Sequence, residues 1–140
     1  MAEQMLKPQA PGIPVGAPTP LTRPYWDACA RGSLVYLRCE DCGLILERPS
    51  TVCGACLGRS LTWTPSSGQG SLYSWTVVWR PQHPSFQVPY APAIVAMDEG
   101  WWHIAAVIGC EPSDLTEGMR LAVEFHPASD GITLPYYRPV

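Results

Sequence analysis

SLVYLRCEDCGLILERPSTVCGACLGRSLTWTP, residues 33–65, contains Cys39-x-x-Cys42 and Cys53-x-x-Cys56 with ten residues between the pairs. Each Cys-x-x-Cys turn can aim two thiolates at one point, and two such turns close a tetrahedron around zinc with no position left open. Gly43 follows the first pair, where a knuckle needs unhindered backbone, and Gly54 lies within the second. Short β-type runs flank the turns, so residues 33–64 read as a zinc ribbon with Cys39, Cys42, Cys53 and Cys56 as ligands of one structural Zn2+. A closed four-thiolate site offers no vacant coordination position for water activation.

On the N-terminal side, residues 21–32 predict a short helix. Thr22 is placed to cap it, Pro24 stands in its first turn, and Gly32 stops it. Tyr25, Trp26, Cys29 and Ala30 sit at helical spacing. Residues 1–20 hold Pro8, Pro11, Pro14, Pro18 and Pro20 among small residues. That composition favours extended polyproline backbone and predicts a flexible arm.

On the C-terminal side, residues 65–140 alternate β-type runs with turn residues: Gly70–Trp79, Ala93–Met97, Trp101–Gly109, Arg120–Phe125 and Ile132–Arg138. Leu121, Val123 and Phe125 mark one buried face, and Asp98-Glu99-Gly100 is a compact hairpin turn. The reading is a mainly β chain ending in a five-stranded OB-type barrel, with an SH3-like barrel or a small sandwich as alternatives. Sixteen prolines and twelve glycines in 140 residues leave little room for long helices.

Charge falls unevenly: residues 1–26 carry +1, residues 27–60 are neutral, and residues 61–140 set three arginines against seven acids, adding up to −3. A nucleic-acid footprint needs clustered cations, so a single-stranded nucleic-acid module is the secondary reading. No stretch has the ~18 apolar residues that span a bilayer, and MAEQMLKPQAPGIPVG lacks a signal-peptide core, so the expected location is cytoplasmic without membrane association. Cys29 and Cys110 read as buried thiols, and His83, His103 and His126 as isolated side chains without a partner base. No nucleophile elbow, metalloprotease pair or phosphate loop occurs, and no residue is nominated as catalytic. Trp75, Trp79, Phe86, Tyr90, Trp101, Trp102, Tyr136 and Tyr137 exceed what so small a barrel can bury, so one aromatic side is expected to meet a partner.

Taken together, the helix Pro24-Tyr25-Trp26 to Gly32, the Leu37–Gly43 knuckle, Pro49, Cys53-Gly-Ala-Cys56, the Gly70–Val78 run, Pro89-Tyr90 and the Gly131–Tyr136 ending resemble the acyl-CoA-associated OB-fold family with an N-terminal rubredoxin-like zinc ribbon. The resemblance covers residues 20–139 and leaves the proline-rich arm unexplained. It implies a non-catalytic accessory subunit of a thiolase-fold enzyme or an enoyl-CoA hydratase. The favoured partner is a lipid-transfer-protein-like aldolase of steroid side-chain degradation, in a two-plus-two complex with acyl-CoA at the joint. Trp79, Arg80, Phe86 and Tyr90 are the candidates for the acyl-CoA wall, and Trp101, Trp102, Tyr136 and Tyr137 for the partner interface.

Overall fold

The computed structural model describes residues 3–140. The chain runs α1 (Arg23–Ala30), β1 (Val35–Cys39), β2 (Ile45–Leu46), β3 (Leu61–Pro65), β4 (Gln69–Trp75), β5 (Ala91–Met97), β6 (Trp102–Val107), a 3₁₀ turn (Pro112–Asp114), β7 (Arg120–Pro127) and β8 (Thr133–Pro139). In β1, Val35, Leu37 and Cys39 point inward while Arg38 faces water, so a period of two supplies the ribbon's small core. Its sheet has the order β2-β1-β3, antiparallel throughout, with Leu37 opposite both Leu46 and Trp63.

β4 to β8 close a barrel in the order β4-β5-β6-β8-β7. In β5, Ala91, Ala93, Val95 and Met97 fill the interior while the alternate residues face outward. Gly70 of β4 lies so close to the Ala96 backbone that any side chain would collide with it. A bulge between Leu72 and Ser74 re-aims Tyr73 outward. β6 and β8 are parallel and pair only at Ala106–Tyr136 and Val107–Tyr137, leaving residues 102–105 of β6 without a ladder partner on that side.

Several details depart from the sequence reading. The strand expected over Gly70–Trp79 ends at Trp75, and beyond it only Val78 and Tyr90 pair, as an isolated bridge. Thr22 precedes α1 but does not cap it, because its hydroxyl oxygen accepts the Thr19 backbone N–H at 2.9 Å. The buried residues of α1 are Ala28 and Cys29; Ala30 is exposed.

Residues 1–20 were expected as a flexible arm; residues 1 and 2 lie outside the described part, and residues 3–20 contain no helix or strand, but part of the segment lies against the barrel. Leu6 is 1% exposed and Ile13 5%. Leu6 also pairs with the barrel backbone, its N–H donating to Cys110 O (3.2 Å) and its carbonyl accepting Gly109 N–H (2.8 Å). The apolar residues of this segment follow no helix or strand period, so pattern reading passes over them. Leu6→Ala should lower unfolding free energy by about 2–5 kcal/mol, as for other fully buried leucines. A urea midpoint equal to the parent's would show that the segment contributes nothing to the core.

Candidate metal centre and docking face

The four ribbon cysteines arrive at one point from two tight turns. Cys39 ends β1, and Gly43, in left-handed backbone (φ 79°), donates its N–H to Cys39 O at 2.8 Å. The second turn repeats this bond with Leu57 N–H on Cys53 O at 2.9 Å. All four Sγ atoms lie within 4.8 Å of one another, with Cys39–Cys56 and Cys42–Cys53 at 3.6 Å. A tetrahedron with Zn–S bonds of ~2.3 Å has edges of about 3.8 Å, so the donor set fits one zinc ion. Ala55 N–H points at Cys53 Sγ and Gly58 N–H at Cys56 Sγ, each at 3.4 Å, as thiolates require. Backbone N–H groups of Cys56 and Ala55 hold the Cys53 thiol down to about 7. Bound zinc here supplies cross-linking of two turns, and no coordination position is left for a substrate.

The remaining thiols are buried and inert. Burial pushes Cys29 up to about 11 and raises Cys110 as well.

The histidines differ from their expected isolation. His83 bonds Ser85 Oγ at 2.6 Å in an exposed loop, and His126 bonds Glu124, which also receives Arg138. His103 is the buried one, joined to Tyr25 of α1 through Nε2 (2.8 Å) and to Tyr137 of β8 through Nδ1 (2.7 Å). The Tyr137 hydroxyl donates onward to Met97 Sδ at 3.2 Å. It therefore accepts from Nδ1–H, which leaves Nε2 to accept the Tyr25 proton. Burial lowers His103 to about 4 and raises both tyrosines, so every member is neutral. A network with all donors used has none to offer a substrate; it is a clamp holding α1 over the unpaired part of the β6–β8 seam. Its members lie 78 and 34 residues apart, so no local motif announces it.

The proposed aromatic sites separate. Phe86 and Tyr90 stack at 5.6 Å and, with Tyr136, line a cavity of about 290 Å³ beside β6 and β8. Trp79 and Arg80 are exposed on the β4–β5 loop and line neither this cavity nor the one between ribbon and barrel described below. Of the four interface candidates, three are internal. Trp101 (6% exposed) packs on Tyr36 and donates its indole N–H to Glu99 at 2.8 Å, while Tyr136 and Tyr137 are buried under the N-terminal segment and in the barrel core. Only Trp102 is exposed, at 46%. It stacks on exposed Tyr73 at 4.8 Å, and Ile104 (70% exposed) follows on the same face. Tyr73 and Ile104 were not singled out by sequence; the i, i+2 relation of Trp102 to Ile104 was the available signal. A second cavity, of about 440 Å³, lies between ribbon and barrel, with Tyr36, Trp63, Trp101 and Trp102 among its walls and Arg48 at its edge.

Comparison with known proteins agrees with this two-part structure. Residues 26–62 match the family model "ChsH2, rubredoxin-like zinc ribbon domain" and residues 63–126 match "ChsH2, C-terminal OB-fold domain". A DUF35 domain-containing scaffold protein of Pyrococcus furiosus is 30% identical over 110 residues, covering 76% of this chain and 79% of that protein. A probable enoyl-CoA hydratase alpha subunit of Thermomonospora curvata is 30% identical over 115 residues, 82% of this chain. The chain spans only 36% of that subunit's length. Among solved structures, an Ltp2-ChsH2(DUF35) aldolase chain superposes with a TM-score of 0.83 at 28% identity, covering 89% of this chain and 98% of that one. A DUF35-family protein of Sulfolobus solfataricus, at 11% identity and TM-score 0.61, shares the fold.

Two outcomes follow from this geometry. Structural zinc sites contribute ~10–16 kcal/mol of apparent binding free energy, so removing zinc by chelation, or by Cys53→Ser, should abolish amide-exchange protection over residues 35–65 while β4 to β8 keep theirs. Persistent protection in the metal-free ribbon would contradict a structural role. For His103, the folded value near 4 lies below the unfolded value of about 6.5. The unfolded chain therefore binds the proton first, and stability falls as pH drops from about 6.5 towards 4. Between pH 6.5 and 5 this amounts to about 1.5 kcal/mol. His103→Gln should remove that part of the pH dependence in urea titrations; parallel curves for the two proteins would show that His103 does not carry it.

Proposed function

The chain belongs to the DUF35 family of proteins that join a rubredoxin-like zinc ribbon to an OB-fold barrel, and from that membership we propose that it is a non-catalytic accessory subunit of a thiolase-fold acyl-CoA enzyme. The observation that carries this reading is the likeness, over nearly the whole chain, to the DUF35 component of an Ltp2-ChsH2 aldolase. The chemistry of the chain supports it. Its metal site is closed, His103 is fully engaged, and the free thiols are buried. The docking element is the outward face with Tyr73, Trp102 and Ile104, a contiguous apolar surface on the rigid β4–β5–β6 sheet. The zinc ribbon fixes the far wall of the cleft beside that face through Tyr36 and Trp63.

The partner we favour is a lipid-transfer-protein-like aldolase acting on a steroid side-chain CoA ester, with two copies of each subunit and the acyl-CoA held at the joint. Phe86 and Tyr90 are placed to contact the acyl part. The nucleotide phosphates of CoA belong with the partner, because residues 61–140 carry −4.

Tagged chain, zinc-loaded and washed at moderate salt, should retain a thiolase-fold subunit from its own cell lysate, identified by mass spectrometry. Tyr73→Ala combined with Trp102→Ala should weaken that association about 30-fold, or about 2 kcal/mol, with zinc content unchanged. Equal retention by the variant removes this face from the interface. Recovery of nucleic acid that salt releases, with no enzyme subunit, would overturn the accessory role.

A further inference from the structure

Residues 3–17 lie ahead of both family-matched segments and contain no helix or strand, yet they are tied to the barrel at several separate points. Leu6 is the pin, buried and paired with the 109–110 backbone. Beyond it the ties are polar and accessible. Gln9 makes a reciprocal pair with Gln87, its Nε2 donating to Gln87 O (3.0 Å) and its Oε1 accepting Gln87 N–H (2.8 Å). Gln9 N–H also donates to the Tyr136 hydroxyl at 3.1 Å, and Gly12 N–H donates to Ser129 Oγ at 2.7 Å. Gln87 belongs to the β4–β5 loop and Ser129 to the β7–β8 loop. Three residues of chain span at most about 10 Å, so the segment from Gln9 to Gly12 holds these two distant loops together.

What the segment covers is apolar. It closes one side of the cavity of about 290 Å³, whose other walls are β6, β8 and the stacked Phe86 and Tyr90. Ile13 is the apolar plug of this outer half. Cavities that hold small organic ligands begin near 300 Å³, so with the segment in place the slot is at the lower limit for occupancy. Tyr25, Trp26 and Ile104 line both this slot and the cleft of about 440 Å³, so a chain-like ligand entering one would run towards the other.

We propose that residues 7–17 form a displaceable strap, pinned at Leu6, that occludes a slot for an apolar acyl chain beside Phe86 and Tyr90. The inference rests on the acyl-CoA reading given above and adds the element that controls access. Pro8, Pro11 and Pro14 have no N–H to give to a sheet, so the strap never joins the barrel ladder and leaves it intact on departure. Gly12, at φ 110° and with open space around its α-carbon, is the pivot within it. Swinging the strap out removes the Ile13 plug and frees the two loops from each other.

The test uses the full zinc-loaded chain without any partner, and 11-(dansylamino)undecanoate as fluorescent probe. The paired substitution Gln9→Ala and Ile13→Ser, which leaves Leu6 in place, should bind the probe at least tenfold more tightly than the parent. A synthetic peptide of residues 3–17 should displace the probe from that variant. Ser129→Ala, which removes the acceptor for Gly12 without touching the strap, should give a smaller rise, about threefold, and guards against misfolding of the paired variant. Hydrogen exchange should quicken at residues 80–90 and 128–132 and nowhere in β4 to β8. Equal probe affinity in the parent and both variants overturns the strap. So does a peptide that binds the variant without displacing the probe, which would make the groove a peptide site. Because no partner is present, either result leaves the docking of a thiolase-fold subunit to be decided by its own experiment.

Discussion

The weakest point of the barrel organises everything packed around it. β6 and β8 meet in parallel at two residue pairs, and the rest of that seam has to be sealed by other means. A buried polar gap is costly unless every donor and acceptor is satisfied. The chain Tyr25–His103–Tyr137–Met97 does this, linking α1 to β6, β8 and β5 through neutral groups. Leu6 seals the other end by pairing with the 109–110 backbone. Trp101 lies against both His103 and Tyr36, so the same cluster seats the ribbon sheet on the barrel.

Zinc and the clamp divide the work of holding the molecule together. The ribbon has strands of five, two and five residues and a core of few side chains, so its order depends on four thiolates converging on one ion. The barrel has a continuous interior of Leu72, Val95, Val107, Leu121 and Tyr137 and does not need the metal. What the ribbon adds is position: Trp63 and Tyr36 stand across a cleft from Trp102. In the accessory role proposed above, this arrangement presents a rigid aromatic surface for a partner to dock on.

Local features were legible in the sequence. Two Cys-x-x-Cys pairs at ribbon spacing marked the metal site, and the alternation of Leu121, Val123 and Phe125 marked the inward face of β7, because both signals are carried by neighbours in the chain. Adjacent tryptophans at 101 and 102 required opposite faces, but nothing local said which was inside; Trp101 turns in because Glu99 and Tyr36 meet it there. Tyr136 and Tyr137 defeated the same logic. They also point to opposite faces, yet both are buried, one in the core and one beneath the N-terminal segment. That segment has no period to read, and the histidine clamp joins residues 78 and 34 positions apart. Long-range closure, unlike patterning, leaves no trace in a window of one sequence.

The proposed role makes the chain a required helper of a thiolase-fold enzyme and not the catalyst. The direct measurement is carbon–carbon cleavage of a β-hydroxyacyl-CoA by three preparations: zinc-loaded chain alone, its co-purified thiolase-fold partner alone, and the two recombined. The account predicts no turnover by the chain, little by the partner, and full turnover by the recombined pair. Turnover by the chain alone, or a partner rate that the chain leaves unchanged, would contradict it.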